Sequence, residues 1–279
     1  MKVRIIADST VDMAQELKER ISLVPLNVHF GEEQYIDGVT IDNKAFYEKL
    51  ARCDTLPTTS LASPGAFMDE YEKISKTDES AVVITVASKL SGTYQSAVLA
   101  SADYDNIYVV DGGNVAIGTG ILVELALKLA DEGKSAEEIV NILEEEKKKV
   151  VLIALVDTLE YLKRGGRVSK TVAVAGDLLG VKPVVALVEG KIDLIGVARG
   201  SKKANKKLVD ETEDIGGVDF SKPVLFGYTG LCDESVSKYV DYCKNIWEGK
   251  IDNATYVSVG SVIGTQVGPG AMAIAFFKN

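Results

Sequence analysis

An α/β protein of two domains is predicted by two patterns in this chain. In the first half, short apolar strand runs alternate with helical patterns. In the second, strand-length runs crowd together and one pair is joined by a two-residue turn. The first pattern implies a three-layer α/β/α domain over 1–150 with a mainly parallel sheet. The second implies a two-layer α/β domain over 151–279 with a mixed sheet. A length of 279 residues favours two domains over one, and 46% hydrophobic with 26% charged residues is an ordinary globular composition.

Residues 2–7 read as a strand, with Asp8-Ser9-Thr10 as the cap of a helix over about 11–20. Residues 23–30 are again strand-like. Ser63 reads as an N-cap, with Pro64 at the first helical position of a helix to about residue 75. The apolar run 81–86 is a buried strand, and a helix follows Ser91 on Tyr94, Ala97, Val98 and Ala102. A strand over 107–110 and a long helix near 118–132 come next. Ser135 caps a charged amphipathic helix over 136–149 whose apolar side carries Ile139, Ile142 and Leu143.

Residues 150–156 form a strong strand, followed by 159–162 and a turn over Lys163-Arg164-Gly165-Gly166-Arg167. The pattern over 169–179 is helical and rich in small residues, among them Ala173, Ala175 and Gly176. Strand-length runs then occupy 184–188, 192–197, 223–228, 254–259 and 271–277. Glu189-Gly190 joins the first two as a hairpin. Arg199, Lys202, Lys203, Lys206 and Lys207 recur at helical spacing and predict one basic face, with Glu211 and Glu213 nearby.

Several functions are excluded at this level. The net charge of −10 argues against nucleic acid or an anionic membrane as the main partner. Cys53, Cys232 and Cys243 are odd in number and lack paired spacing, so neither a disulfide framework nor a thiolate zinc site is expected. The N-terminus has no signal-peptide core, and the apolar stretch 115–130 is broken by Gly, Glu and Lys. A cytoplasmic protein is expected. His29 is the single histidine and sits in an alternating strand run, leaving a Ser-His-Asp triad or a histidine metal site without material. There is no phosphate-binding loop, and Gly118-Thr119-Gly120 lacks the third glycine of a dinucleotide fingerprint. Asp8, Asp12, Asp37 and Asp111 form no recognisable metal loop, so neither cofactor nor metal is expected.

The informative residues lie at junctions. Asp8-Ser9-Thr10, the stretch 58–63 and Ser91-Gly92-Thr93 place hydroxyls where strands give way to helices, the edge at which open α/β sheets bind ligands. A polar or anionic head group suits them. Each also reads as a helix cap: for Ser63 the cap is favoured, while for Thr59 and Ser91 the two readings balance. Gly264-Thr265-Gln266-Val267-Gly268-Pro269-Gly270 reads as a stiff loop able to approach a ligand, with Gln266 supplying a donor and an acceptor. Alone it would be a tight turn. Arg167, after the double glycine, is either an anion clamp or one half of an ion pair.

Together these motifs resemble the DegV family, fatty-acid-binding proteins that serve bacterial fatty acid kinase as lipid carriers. The resemblance spans nearly the whole chain. It rests on Ala7-Asp8-Ser9-Thr10, Pro57-Thr58-Thr59-Ser60, Ser88-Lys89-Leu90-Ser91-Gly92-Thr93-Tyr94, Gly165-Gly166-Arg167 and 263–270 in that order. It implies a bound long-chain fatty acid between two domains, its carboxylate at Thr59, Ser60, Ser91 and Gln266. Thr93, Arg167, Gly264 and Thr265 would stand at the pocket or its entrance. Room for the tail is expected at the small residues Ala173, Ala175, Gly176 and Gly180, which helix packing explains equally well. Arg199, Lys202 and Lys203 would dock a kinase catalytic subunit that phosphorylates the presented acid. The resemblance implies no catalysis by this chain, and a transient membrane contact during lipid exchange. One departure stands out: the family's C-terminal loop usually carries histidine where this chain has Gln266, which donates a hydrogen bond but brings no positive charge. A carrier of a different small lipid is therefore an alternative. A hydrolase or transferase using Ser91 as nucleophile, with Lys89 or another lysine as base, is another, although the sequence offers no convincing base.

Overall fold

The computed structural model describes residues 2–174, 180–244 and 255–279. In chain order the first half comprises β1 (Val3–Asp8), α1 (Gln15–Lys18), β2 (Ser22–Val24), β3 (Asn27–Phe30), β4 (Glu33–Ile36), α2 (Asn43–Leu50), β5 (Thr58–Ser60), α3 (Pro64–Ser75), β6 (Ser80–Thr85), α4 (Thr93–Ala100), β7 (Ile107–Asp111), α5 (Ile117–Asp131) and α6 (Ala136–Glu146). A 3-10 turn, Lys147–Lys149, leads into β8 (Val150–Leu155), α7 (Glu160–Gly165), α8 (Lys170–Val174), β9 (Lys182–Val188), β10 (Lys191–Ala198), α9 (Ser201–Asp214), β11 (Leu225–Tyr228), α10 (Glu234–Tyr242), β12 (Tyr256–Ser258), α11 (Ser261–Val267) and β13 (Met272–Phe277).

Among the described residues three sheets form. The first is wholly parallel, in the order β2-β1-β6-β7. Every residue of β6 is buried, as a parallel strand covered on both faces requires. Helices α3 and α4 pack as one pair and α5 and α6 as another over this sheet. A small antiparallel sheet, β4-β3-β5, stands beside it. The third is mixed, in the order β10-β9-β8-β13-β11-β12, with only β11 and β12 parallel. Along its strands the side chains alternate. Ile153, Phe226, Ile274 and Phe276 face a core closed by Leu208 of α9 and Tyr239 of α10, and Leu152, Leu225 and Ala275 face the opposite way.

Helix α5 is the wall common to both larger sheets. Eleven of its residues are buried, and it packs on β1 and β6 as well as on β8, β11 and β13. A helix apolar on nearly all sides has no solvent face, and this one is covered on both.

Most predicted elements are present. Ser63 caps α3 by accepting from the Ala66 N–H, Ser135 and Glu138 form a complete capping box, and β9 and β10 are the expected hairpin. Corrections fall where local pattern was overridden. The helix expected over 11–20 is one turn, Gln15–Lys18, because Asp8 does not cap it. Instead the buried Asp8 carboxylate accepts from the Thr10 N–H and hydroxyl and from the Val86 N–H, tying β1 to the loop after β6. The run 23–30 is split around Pro25 into β2 and β3, which join different sheets. The junction 58–63 contains a short strand, β5, and the turn over 163–167 is largely the end of α7, with Gly166 left-handed. The stiff loop over 264–270 is in its first half the last turn of α11. Helices α2 and α10 and strand β4 were not anticipated. Of the helix expected over 169–179, α8 is seen. Ala175, Gly176 and the start of the 254–259 run lie outside the described residues. Among the described residues no helix is long and apolar enough to cross a membrane.

Candidate functional site

A cavity of about 310 Å³ opens where the parallel sheet, β5, α7 and α11 meet. Its polar lining is Thr10, Thr59, Ser60, Ser91, Arg167 and Gln266, and the rest is apolar, including Leu26, Leu90 and Val262. A second cavity of about 60 Å³ lies deeper and shares Val115, Leu162, Ile192, Ile263 and Val267 with the first. Its floor is the inward face of the mixed sheet. There Gly227, Ala273, Ala154 and Val185 are successive cross-strand partners on β11, β13, β8 and β9. This row of small side chains leaves the sheet short of its helix cover, which is where the space comes from.

Each polar group is placed by a different element. Thr59 pairs with Val28 across β3 and β5, and its Oγ1 accepts from Gln266 Nε2 at 3.1 Å. Ser91 lies in the turn before α4, where its Oγ bonds Thr93 Oγ1 at 2.9 Å and accepts from the Thr93 N–H. It therefore holds the first N–H of α4, whose N-cap is Gly92, and lines the cavity at once. Thr93 itself is fully buried behind Ser91. Ser60 borders the cavity, but successive residues of a strand point to opposite faces. Its hydroxyl bonds His29 Nε2 at 3.1 Å and Asn27 Nδ2 at 3.4 Å, on the face away from Thr59.

Gln266 projects from α11 on the same side as Val262, Ile263 and Val267. The opposite side of α11 carries Gly264 and Thr265, which do not line the cavity. Gly264 lies against α2 so closely that a Cβ there would come within 2.7 Å of both Phe46 and Tyr47. Thr265 bonds back to the Ser261 carbonyl. Gln266 in turn rests on Gly165, where a Cβ would lie 2.0 Å from its Oε1. This close approach gives the first glycine of Gly165-Gly166 a physical reason. Gln266 Oε1 is buried and has no hydrogen-bond partner among the described residues.

Arg167 makes no ion pair among the described residues. Its Nε donates to the Leu90 carbonyl at 3.3 Å and Nη1 donates to the Gly165 carbonyl. Lys89 Nζ donates to the Glu189 carbonyl at 2.6 Å. The loop carrying Ser91 is thus fastened by two cations to the second half of the chain. Arg199, Lys202 and Lys203 are exposed around the start of α9, away from the cavity lining. Two of the five cations of the basic face expected there are neutralised, since Lys206 and Lys207 pair with Asp210 and Glu211 one turn on. Thr10 is the lining residue whose role the sequence left least defined, because Asp8-Ser9-Thr10 has the pattern of an ordinary cap. Among the described residues no cluster of three or more acidic, histidine or cysteine side chains could hold a metal ion.

These features define an α/β protein whose two main sheets enclose a cavity that is polar at one end and apolar at the other. The chain belongs to the DegV family: the family model described as "Uncharacterised protein, DegV family" matches residues 2–279. It is 34% identical to a DegV domain-containing protein of Caldanaerobacter subterraneus subsp. tengcongensis over 281 residues, 99% of this chain and 98% of that one. Among solved structures it is similar to a DegV family protein from Thermus thermophilus, described by its fatty acid binding, with a TM-score of 0.89 and 30% identity over all of both chains. Bacillus subtilis DegV, described as a fatty acid binding protein, matches with a TM-score of 0.84 and 31% identity, again over all of both chains.

Proposed function

We propose that this protein binds a long-chain fatty acid and is a carrier, not a catalyst. The carboxylate meets the hydroxyls of Thr59 and Ser91 and the amide of Gln266, with Arg167 at the mouth, and the tail runs into the deeper cavity. The site then lies between a domain over 1–150 and one over 151–279. The observation that carries this reading is the passage from polar to almost wholly apolar lining, Tyr228 and Thr229 excepted, across two cavities with shared walls. Fatty acid binding by the related proteins supports it. A tail of roughly 16 carbons gains on the order of 12 kcal/mol from burial before entropy and desolvation losses, which tolerates an uncharged amide in the head-group site.

The reading extends to a partner. A separate kinase subunit docks on the exposed Arg199, Lys202 and Lys203 and phosphorylates the presented carboxylate, and lipid exchange involves transient contact with a membrane. Reversing charge at Arg199 then spares lipid binding and weakens coupling to a cognate kinase. Full coupling by the Arg199→Glu protein would remove that role.

The partnerless Oε1 of Gln266 favours one variation. A head group with its own donor, such as a primary amide, would satisfy it where a carboxylate would not. Native mass spectrometry of the purified protein, followed by organic extraction, separates these cases. A stoichiometric fatty acid supports the carrier reading; a neutral lipid supports the variation. A protein that is empty and does not take up added palmitate contradicts both.

A further inference from the structure

Two buried carboxylates grip the start of α11 from the first half of the chain. Asp12 and Asp37 are 1% and 5% exposed. Asp12 Oδ1 accepts from the Gly260 N–H at 3.0 Å, and Asp37 Oδ1 accepts from the Ser261 hydroxyl at 2.5 Å. Asn43 Nδ2 donates to the Ser258 carbonyl and Tyr47 OH to the Val259 carbonyl, so the whole corner 258–261 hangs on residues before 50. The groups facing Asp12 are Lys18 from α1, Asp37, Asp8 at the end of β1 and Tyr47 of α2. Its Oδ2 is buried with no hydrogen-bond partner among the described residues. Burial, with smaller contributions from Asp37 and Asp8, pushes the Asp12 carboxyl up to about 7, against the pull of Lys18 and of the Gly260 N–H. Such a residue costs stability, and a cap made of a serine or asparagine would not.

Its position relative to the cavity suggests what that cost serves. Helix α11 has seven residues, too few to be stable alone, so its placement rests on tertiary contacts, the grip at 258–261 among them. Gln266 lies five residues beyond Ser261, about 7.5 Å along the axis. A small tilt at the gripped end therefore swings the amide that meets Thr59. We propose that Asp12 and Asp37 are positioning residues for Gln266, holding α11 in the orientation from which its amide reaches the head-group site. The ligand-binding arm of the test rests on the fatty-acid reading; the positioning itself does not.

The test is a double-mutant cycle read by palmitate binding and by the side-chain amide NMR signal of Gln266. Asp12→Val removes the acceptor; it is expected to weaken palmitate binding about tenfold and to move the Gln266 signal. Asp12→Asn keeps an oxygen for the Gly260 N–H and is expected to stay within about twofold of wild type, with the signal in place. In a Gln266→Ala background, Asp12→Val should add less than about a twofold loss, because the residue it positions is gone. Equal losses in both backgrounds, or an unmoved Gln266 signal in the folded Asp12→Val protein, would overturn the proposal. Should palmitate fail to bind the wild-type protein, the carrier reading falls, and the Gln266 signal alone decides for or against the positioning role.

Discussion

Gln266 Nε2 donates to Thr59 Oγ1 at 3.1 Å, joining two residues 207 positions apart at the polar end of the cavity. The bond links α11, near the end of the chain, to β5, near its beginning. It also orients the Thr59 hydroxyl, which is left with its proton to donate to a ligand.

Gln266→Ala should therefore weaken fatty acid binding in two ways, by losing the amide and by freeing the Thr59 side chain. A loss of about five- to twentyfold is expected, corresponding to one or two hydrogen bonds. Isothermal titration with palmitate checks it. Thr59→Ala combined with Ser91→Ala should cost more, because both hydroxyls then disappear. Unchanged acyl content in that double variant would count against this head-group site.

Gly165→Ala should reproduce the Gln266→Ala loss without touching either partner. The added Cβ would lie 2.0 Å from Gln266 Oε1. Either the amide leaves Thr59 or α7 shifts, and overpacking of this kind typically costs about 1–3 kcal/mol. The variant should bind palmitate as weakly as Gln266→Ala and melt earlier. Wild-type affinity would show that Gln266 has another rotamer that serves equally well.

What could be read in the sequence divides along physical lines. Strands such as β6 and helices such as α6 were legible because burial and capping are local: an apolar run, or Ser135 with Glu138 three residues on. The hydroxyls at 59 and 91 were legible as a pattern of junctions. What was not legible was contact between distant segments. Nothing around Asp12 or Asp37 signals that they hold Gly260 and Ser261, and nothing around Gly165 signals Gln266. The alternation within β5 was also lost, since a three-residue strand has no periodicity to detect. Ser60 therefore read as equivalent to Thr59, although its hydroxyl lies with His29. Helix α2 carries a weak signal, because Phe46, Tyr47 and Leu50 stand among polar residues.

A pH dependence of stability follows from Glu124 on α5. Burial alone pushes its carboxyl from the ordinary value of 4.5 up to about 7, and its Oε1 has no hydrogen-bond partner among the described residues. With the folded value raised, the folded state holds the proton longer than the unfolded chain. The contribution of Glu124 is fully present below about pH 4.5 and is lost as pH rises through 7. Glu124→Gln should remove that decline and stabilise the protein at pH 8 by about 2 kcal/mol, allowing for its partial exposure. Thermal melts at pH 5 and pH 8 measure it. Equal wild-type-to-variant differences at the two values would mean that Glu124 is solvated in solution.

The deeper cavity makes a prediction about tail length. Ala154 and Ala273 are direct cross-strand partners on β8 and β13, and both stay half-buried in the middle of the sheet because they face the cavity and not a packed side chain. Ala273→Leu adds about three carbons to a chamber of about 60 Å³ that has little room to spare. Packing density near that of an organic crystal leaves no other place for those atoms to go. On the proposed fatty-acid reading, the acyl chain must withdraw by a comparable length, or the shorter members of the available pool must replace it. Extraction and mass spectrometry of the variant should show a distribution shortened by about two to four carbons, with the head-group contacts and total occupancy kept. Ala154→Leu should act in the same direction, since the two side chains sit side by side. If both variants carry the wild-type distribution, the tail takes a path that avoids this row. If the distribution shortens while Gln266→Ala leaves it unchanged, head and tail are read by separate ends of one cavity.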